Sequence, residues 1–344
     1  MKGAAPRPRP DRPATSHDVA LAAGVSQPTV SRALRGDPRV APATRERVAA
    51  AAAELGYVLS ERGRSLSTRR TQRVGVVVDD LGNPFYLQLL DTLHDDLERS
   101  GQRMLVFTPH RNDPERVERL VDGSIDGVVL STTLLGSSLP GQLRDRGFPF
   151  VLLNREVDGV EADICVTDNV GGAAQVAAEL VRLGHERIGA ILGPEATSTS
   201  RDRELGFRRV LDARGVALRE EMFRRGPFSF ATGHAGLTEL LRASPAPTAV
   251  FCANDVIAFG ALNAARGMGV DVPGDVTIVG FDDIAMAAWE VFRLTTVRQD
   301  LRRMSRIATG LLLARIAEPD RPAERVVLPA ELVVRATHGP PPGT

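Results

Sequence analysis

The sequence predicts a small all-α N-terminal module, a charged linker, and a larger α/β body made of two doubly wound parallel-sheet lobes. Three observations carry this reading. The net charge of the 344 residues is +0, yet residues 1–73 hold 14 Lys and Arg against 6 Asp and Glu, which leaves the remainder at −8. Residues 15–57 carry helix-boundary signals at close intervals. From Arg73 onward, short uninterrupted apolar runs alternate with helical stretches. Strands without polar alternation are buried on both faces, which is the pattern of parallel sheets covered by helices.

The elements follow in order. Residues 1–14 are rich in Pro and Arg, lack the apolar run of a signal peptide, and read as a disordered basic arm. Thr15 or Ser16 caps a first helix that Gly24 ends. Ser26 caps a second helix from Gln27 to Leu34, with Pro28 tolerated in its first turn. A third helix runs from Pro42 to Leu55 and stops at Gly56. Residues 58–72 form the linker. In the body (73–335), strands are expected at Val74–Val78, Met104–Phe107, Ile125–Leu130, Phe150–Leu153, Ile188–Leu192, Ala249–Cys252 and Val276–Val279. Leu89, Leu93 and Leu97 fall on one helix face after Asn83 as cap and Pro84 at the first helical position. So many alternations exceed one sheet and imply two lobes with a cleft between them. Residues 336–344 are rich in Pro and Gly and read as a flexible tail.

Composition removes several functions. Lys2 is the only lysine, so a P-loop NTPase and a Schiff-base enzyme both lack their essential residue. Cys165 and Cys252 are too few for a disulfide framework or a Cys-rich metal site, and they fit a reducing cytoplasm. The six His are scattered without metal-ligand spacing, and no G-x-S-x-G elbow or glycine fingerprint is present. No catalytic residue, metal site or cofactor is expected. No run of about 18 apolar residues suggests a membrane span. An exported solute receptor is disfavoured by the missing signal peptide.

The basic segment points to nucleic acid. Thr15 to Leu34, TSHDVALAAGVSQPTVSRAL, reads as helix, tight Gly turn and second helix. In a helix-turn-helix the second helix enters the major groove of double-stranded DNA. Gln27 is an amide suited to adenine and Arg32 a fork suited to guanine. Thr29 and Ser31 suit phosphates or bases, while Val25, Val30 and Leu34 suit the core. Thr15, Ser26 and Pro28 complete the expected DNA-facing set.

These residues resemble the headpiece of the lactose-repressor (LacI/GalR) family of transcription regulators, through DVALAAGVSQPTVSRALRG and VAPATRERVAAAAAELGY. The resemblance continues through VGVVVDDLGNPFY, IDGVVLS, DNVGGAAQVAAELVRLGHERIGAILGP, PTAVFCANDVIAFGAL, VPGDVTIVGFDDI and LTTVRQD, and spans about residues 15–335. It implies a body like a periplasmic sugar-binding protein, with three crossover strands and a small molecule, most simply a sugar, in the cleft. It also implies a homodimer on a pseudo-palindromic operator, repression as the usual outcome, and Leu66 as the wedge that enters the minor groove.

By the same resemblance, Arg201, Asn254 and Asp282 are expected to meet ligand hydroxyls, with Asn154 and Gln299 as weaker candidates. Phe85, Tyr86, Phe228 and Trp289 are read as faces against a sugar ring, with core as the alternative for Trp289 and the Phe residues. Asp255 is read as a ligand group or as a helix cap. Arg203 and Glu204 are read as a surface pair. The chain departs from the family pattern with Leu59 and Gly63 in the hinge, and with Ala41 where a Ser usually caps the third helix.

Overall fold

A computed structural model describes residues 14–34, 36–57, 70–108, 116–216 and 219–343. The expected basic arm, apart from Ala14, and the hinge with Leu59, Gly63 and Leu66 lie outside the described residues. The chain divides into two compact units, one ending at Thr71 and the other starting at Gln72.

The first unit holds α1 (Ser16–Ala23), α2 (Gln27–Leu34) and α3 (Pro42–Glu54). A reciprocal capping box starts α1: the Thr15 hydroxyl accepts from the Asp18 amide and the Asp18 carboxylate accepts from the Thr15 amide at 2.8 Å. Gly24, at φ 63°, makes the left-handed turn that a side chain would strain. The Ser26 carbonyl opens α2 by accepting from the Thr29 and Val30 amides. Ala41 gives α3 no side-chain cap. Val19, Ala20, Ala23, Val30, Ala33, Val40, Val48, Ala51 and Ala52 form the core, with Val25 and Leu34 at its margin. Such small side chains let three short helices approach closely.

The second unit begins with β1 (Arg73–Val77), α4 (Pro84–Arg99), β2 (Arg103–Phe107), α5 (Arg116–Leu120), β3 (Gly127–Leu130), α6 (Leu139–Asp145), β4 (Phe150–Leu153) and β5 (Asp163–Thr167). It continues with α7 (Asn169–Arg182), β6 (Ile188–Leu192), α8 (Ser198–Ala213), β7 (Phe223–Arg225), α9 (Phe230–Leu241), β8 (Ala249–Cys252), α10 (Asp255–Met268) and β9 (Thr277–Val279). It closes with β10 (Thr296–Arg298), α11 (Leu301–Ala317), β11 (Arg325–Leu328) and β12 (Glu331–Val333).

The strands form two parallel sheets, β11-β5-β4-β3-β1-β2 and β7-β6-β8-β9, and an antiparallel pair β10-β12. Each parallel sheet centres one lobe. The chain passes between lobes three times: after Thr167, between Arg298 and Leu301, and after Leu328. α11 packs on α4 and on β3, β4 and β5, so it belongs to the first lobe.

All seven apolar runs form strands. Five further strands had no such signature. β5, DICVT, is wholly buried although it carries Asp163 and Thr167, because Arg315 pairs with Asp163 at 2.9 Å. β7, β10, β11 and β12 are three or four residues long and partly exposed.

The tail departs from expectation. The Ile278 amide donates to the Thr337 carbonyl at 2.8 Å, and the Gly339 amide donates to the Thr277 hydroxyl at 2.9 Å. His185, buried in the turn between α7 and β6, bonds the Thr248 hydroxyl at 2.9 Å and the Gly339 carbonyl at 2.8 Å. Backbone pairing along β9 fixes this segment despite its Pro and Gly content. Among the described residues, no helix is long and apolar enough to cross a membrane, and no group of three or more His, Cys, Asp or Glu is placed to hold a metal ion.

Helix contact in the second lobe depends on missing side chains. A Cβ on Gly206 of α8 would stand 2.0 Å from the Val170 carbonyl oxygen of α7. Alanine is favoured over glycine within a helix by about 1 kcal/mol. Gly206→Ala is nevertheless expected to destabilise the protein by about 1–3 kcal/mol, because backbone cannot yield as a side chain does. Thermal unfolding checks this: the midpoint falls, whereas an unchanged or raised midpoint contradicts the packing account.

Candidate functional site

In the first unit, α2 turns Val30 and Ala33 inward and leaves Ser26, Gln27, Pro28 and Arg32 exposed, with Thr29 and Ser31 half-buried. The Gln27 amide nitrogen donates to the Ser16 hydroxyl at 2.8 Å, which ties the start of α2 to α1. Ser26 and Thr29 share a hydroxyl hydrogen bond of 2.8 Å. Thr15, on the cap of α1, is also exposed. The result is a polar helix face that exposes the Arg32 side chain, above an apolar one.

In the second unit, the C-terminal ends of strands from both lobes converge on a cleft. That is where ligands sit in open α/β sheets. Asn83, Phe85, Tyr86, Asn154, Arg155, Thr199, Arg203, Phe228, Asn254 and Asp282 line about 230 Å³ of empty space. Asn83 caps α4 by accepting from the Phe85 amide, and the Phe85 and Tyr86 rings meet edge to face at 5.3 Å. Phe228 leans over Gly193, where a Cβ would come within 2.3 Å of its ring. Asn154 and Asp282 hold φ of 66° and 124°. Left-handed backbone at non-glycine residues clusters at functional sites, held by surrounding structure.

Asp282 is buried, accepts from the Gln299 side-chain amide at 2.7 Å, and lies 3.2 Å from the Arg203 guanidinium. Arg203 also donates to the Asn169 side-chain oxygen at 2.8 Å and to the Ala253 carbonyl at 2.6 Å, and its guanidinium stands 3.7 Å from the Phe281 ring centre. Asn254 caps α10 by accepting from the Ile257 amide at 2.9 Å.

Several expectations are corrected here. Arg201 lies outside the cleft, paired with Asp202 at 2.8 Å and Asp158 at 3.0 Å, and Arg203 takes the buried position. Two residues along a helix turn through about 200°, so only one of the two can face inward. Arg203 shares the face of Phe207, four residues on and fully buried. That phase was the available signal. Glu204 pairs with Arg208 and Arg225, not with Arg203.

Asp255 is not the cap of α10. Its carboxylate accepts from the Ile284 amide at 2.9 Å and from the Thr296 hydroxyl. Gln299 stands behind Asp282, where its oxygen accepts from Thr167 at 2.7 Å, and it is absent from the lining. Trp289, 55 % exposed, is neither core nor lining. Arg155 and Thr199 join the lining without a sequence expectation, and Asn83 was expected only as the cap of α4. Arg155 and Asn83 follow apolar runs at strand ends, which is a positional signal shared with many loop residues.

Burial pushes the Asp282 carboxyl up to about 6, with Arg203 and Gln299 opposing it. Burial and the Asp282 charge likewise raise Asp255. The folded protein therefore holds the Asp282 proton more tightly than the unfolded chain does. Its contribution is fully present below about pH 4 and is lost as pH rises through about 6. Asp282→Asn cannot titrate. From pH 4 to 7 the wild type is expected to lose stability relative to this variant, by at most about 3 kcal/mol. Urea unfolding of both proteins across that range reads the difference, and one that stays flat with pH contradicts the burial.

Known proteins share this organisation. Residues 15–60 match the lacI family of bacterial regulatory proteins, and residues 177–338 match a periplasmic binding protein-like domain. The HTH-type transcriptional regulator CelR of Thermobifida fusca is 35% identical over 326 residues, covering 92% of this chain and 96% of its own. The HTH-type transcriptional repressor CytR of Escherichia coli K12 is 33% identical over 331 residues, covering 94% and 96%. A CelR–cellobiose complex superposes with a TM-score of 0.73 at 33% identity, over 94% of this chain and 99% of that one. A lac repressor dimer bound to operator and the anti-inducer ONPF superposes at 0.85 with 27% identity, over 95% and 99%. With that identity sustained across both the helix-turn-helix and the two-lobed body, the chain belongs to the LacI family and is a DNA-binding transcriptional regulator.

Proposed function

We propose that this regulator is a cytoplasmic repressor whose operator affinity is set by a small sugar-class molecule in the cleft. It acts as a homodimer on a pseudo-palindromic operator, because two-fold protein symmetry requires matching half-sites. It carries out no reaction of its own. α2 enters the major groove, with Gln27 and Arg32 at base edges. Thr15, Ser26, Pro28, Thr29 and Ser31 support them at bases or phosphates. Leu66 is the minor-groove wedge between half-sites.

The observation that carries the effector reading is the meeting of both lobes at one polar, partly aromatic cleft. Asp282, Arg203 and Asn254 come from the second lobe, and Tyr86, Phe85 and Asn154 come from the first. A carboxylate, two amides and a guanidinium can each engage vicinal hydroxyls, with Phe228 against the ring. Gln299 positions Asp282. The effector changes operator affinity by the ratio of its affinities for two lobe arrangements, tenfold for each ~1.4 kcal/mol.

The test reads both halves. Arg32→Ala is expected to cost about 1–3 kcal/mol on the operator and to relax the preference at one base position. Titrations at fixed salt against single-base operator variants measure this. A uniform loss across all variants would place Arg32 on phosphate and contradict base reading. The same titration with added sugars is expected to show a shift in operator affinity for the wild type. Operator affinity that no cleft ligand alters would overturn the effector reading.

A further inference from the structure

We propose that Arg201 is a latch between the lobes. Its pairing with Asp158 and Glu156 sets the balance between the closed arrangement and a more open one, without touching the ligand of the cleft. The latch deepens the effector reading and rests on its premise that the lobes take two arrangements.

Arg201 stands in the first turn of α8, in the second lobe, and Glu156 and Asp158 lie between β4 and β5, in the first. The Arg201 guanidinium donates to both Asp158 oxygens, at 3.0 and 3.1 Å, and stands 3.6 Å from Glu156. Two neutral hydrogen bonds also join the lobes. The Leu135 amide, after β3, donates to the Ala196 carbonyl at 2.8 Å. The Glu156 amide donates to the Ser198 hydroxyl at 3.0 Å. A cavity of about 460 Å³ is lined both by Glu156, Ser198 and Asp202 and by Thr167 and Asp168 of the crossing. The lobes are therefore not packed solidly here, and these few polar contacts hold them.

The same two short segments line the cleft. Asn154 and Arg155 of the lining directly precede Glu156, and Thr199 and Arg203 alternate with Ser198 and Arg201. A ligand that engages both segments from inside draws the latch partners together from behind. The latch in turn favours the arrangement that such a ligand needs. Apparent affinity scales with the fraction of protein in the competent arrangement, so the latch tunes the response.

The pairing is built to break without leaving an orphaned charge. When the lobes part, Arg201 keeps Asp202, its neighbour in α8, at 2.8 Å. Glu156 keeps Arg325 of β11 at 3.0 Å, within the first lobe. Only Asp158 loses its partner, and its side chain is already 69% exposed. An exposed pair of this kind contributes little, which suits an equilibrium that a small molecule must shift.

Native-state hydrogen exchange on the full-length protein, without ligand, tests the latch. The Leu135 and Glu156 amides report on separation of the lobes, because their acceptors lie across the gap. In Asp158→Asn and in Arg201→Gln both amides are expected to exchange about two- to fivefold faster. Amides within β1 and β6, inside the two sheets, keep their rates. The double variant exchanges no faster than the faster single one, since both substitutions remove one interaction. Raising the salt from about 0.01 M to about 1 M shortens the screening length from ~30 Å to ~3 Å and narrows the gap between wild type and variants.

Leu135 is the deciding probe, because it lies on a different loop from Asp158. Faster exchange at Glu156 alone marks a local loosening and overturns the latch. Unchanged exchange at both amides, accelerations that multiply in the double variant, or an equal gap at both salt concentrations also overturn it. The latch and the effector reading fail separately. Faster exchange in the variants, with an operator affinity that no cleft ligand alters, leaves the latch and removes the effector role. Unchanged exchange, with a ligand that does alter operator affinity, does the reverse.

Discussion

Arg203 carries a positive charge into the second lobe at 3% exposure, and the groups that engage it come from three segments of that lobe. Asn169 starts the first helix after the crossing from lobe one, Ala253 follows β8, and Phe281 and Asp282 follow β9. A planar fork with fixed donors demands that these partners hold their places. Asp282 then passes the constraint on. It accepts from Gln299, whose oxygen accepts from Thr167, and these two residues stand at two of the three crossings between lobes. The Asp282 carboxylate in the cleft is therefore one hydrogen bond from one crossing and two from another. This chain of contacts joins the cleft to the crossings between lobes.

The scaffold around that network is stiff where its helices touch and strained where its side chains turn inward. Gly206 meets the Val170 carbonyl, Gly233 the Ile257 carbonyl and Gly260 the Phe230 carbonyl, each so near that a Cβ would stand 2.0 Å away or less. Helices that close cannot slide past one another, so α7 is locked to α8 and α9 to α10. Among the described non-glycine residues, positive φ occurs at Asn154 and Asp282 in the cleft lining, at Asp283 beside it, and at Gln72 and Arg293. The Asp283 strain is held by its ion pairs with Arg298 at 2.7 Å and Arg335 at 2.6 Å.

Much of this was legible in the sequence because it depends on local rules. Unbroken apolar runs marked the central strands, and Thr15, Gly24 and Asn83 marked helix ends by their side-chain chemistry. What escaped depends on partners distant in sequence. β5 stays buried with Asp163 in it because Arg315 and Arg321, 152 and 158 positions away, pair with that carboxylate. The tail is fixed only because β9 lies beside it. Arg201 and Arg203 are the same residue type two positions apart, and helix phase against Phe207 decides between them. Asn254 and Asp255 are both acceptors at a helix start, and only the position of Ile284 and Thr296 draws the second away.

The account stands on the Arg203–Asp282 pair as the link between ligand contact and lobe crossing. A double-mutant cycle with Arg203→Gln and Asp282→Asn, read by urea unfolding at about pH 8 and about pH 4.5, tests it most directly. At the higher pH both groups are charged, and the two substitutions should be non-additive by about 1–3 kcal/mol in favour of the intact pair. At the lower pH, Asp282 holds its proton and the coupling should shrink toward zero. Additive effects at the higher pH, or a coupling equally large at both, would contradict the central claim.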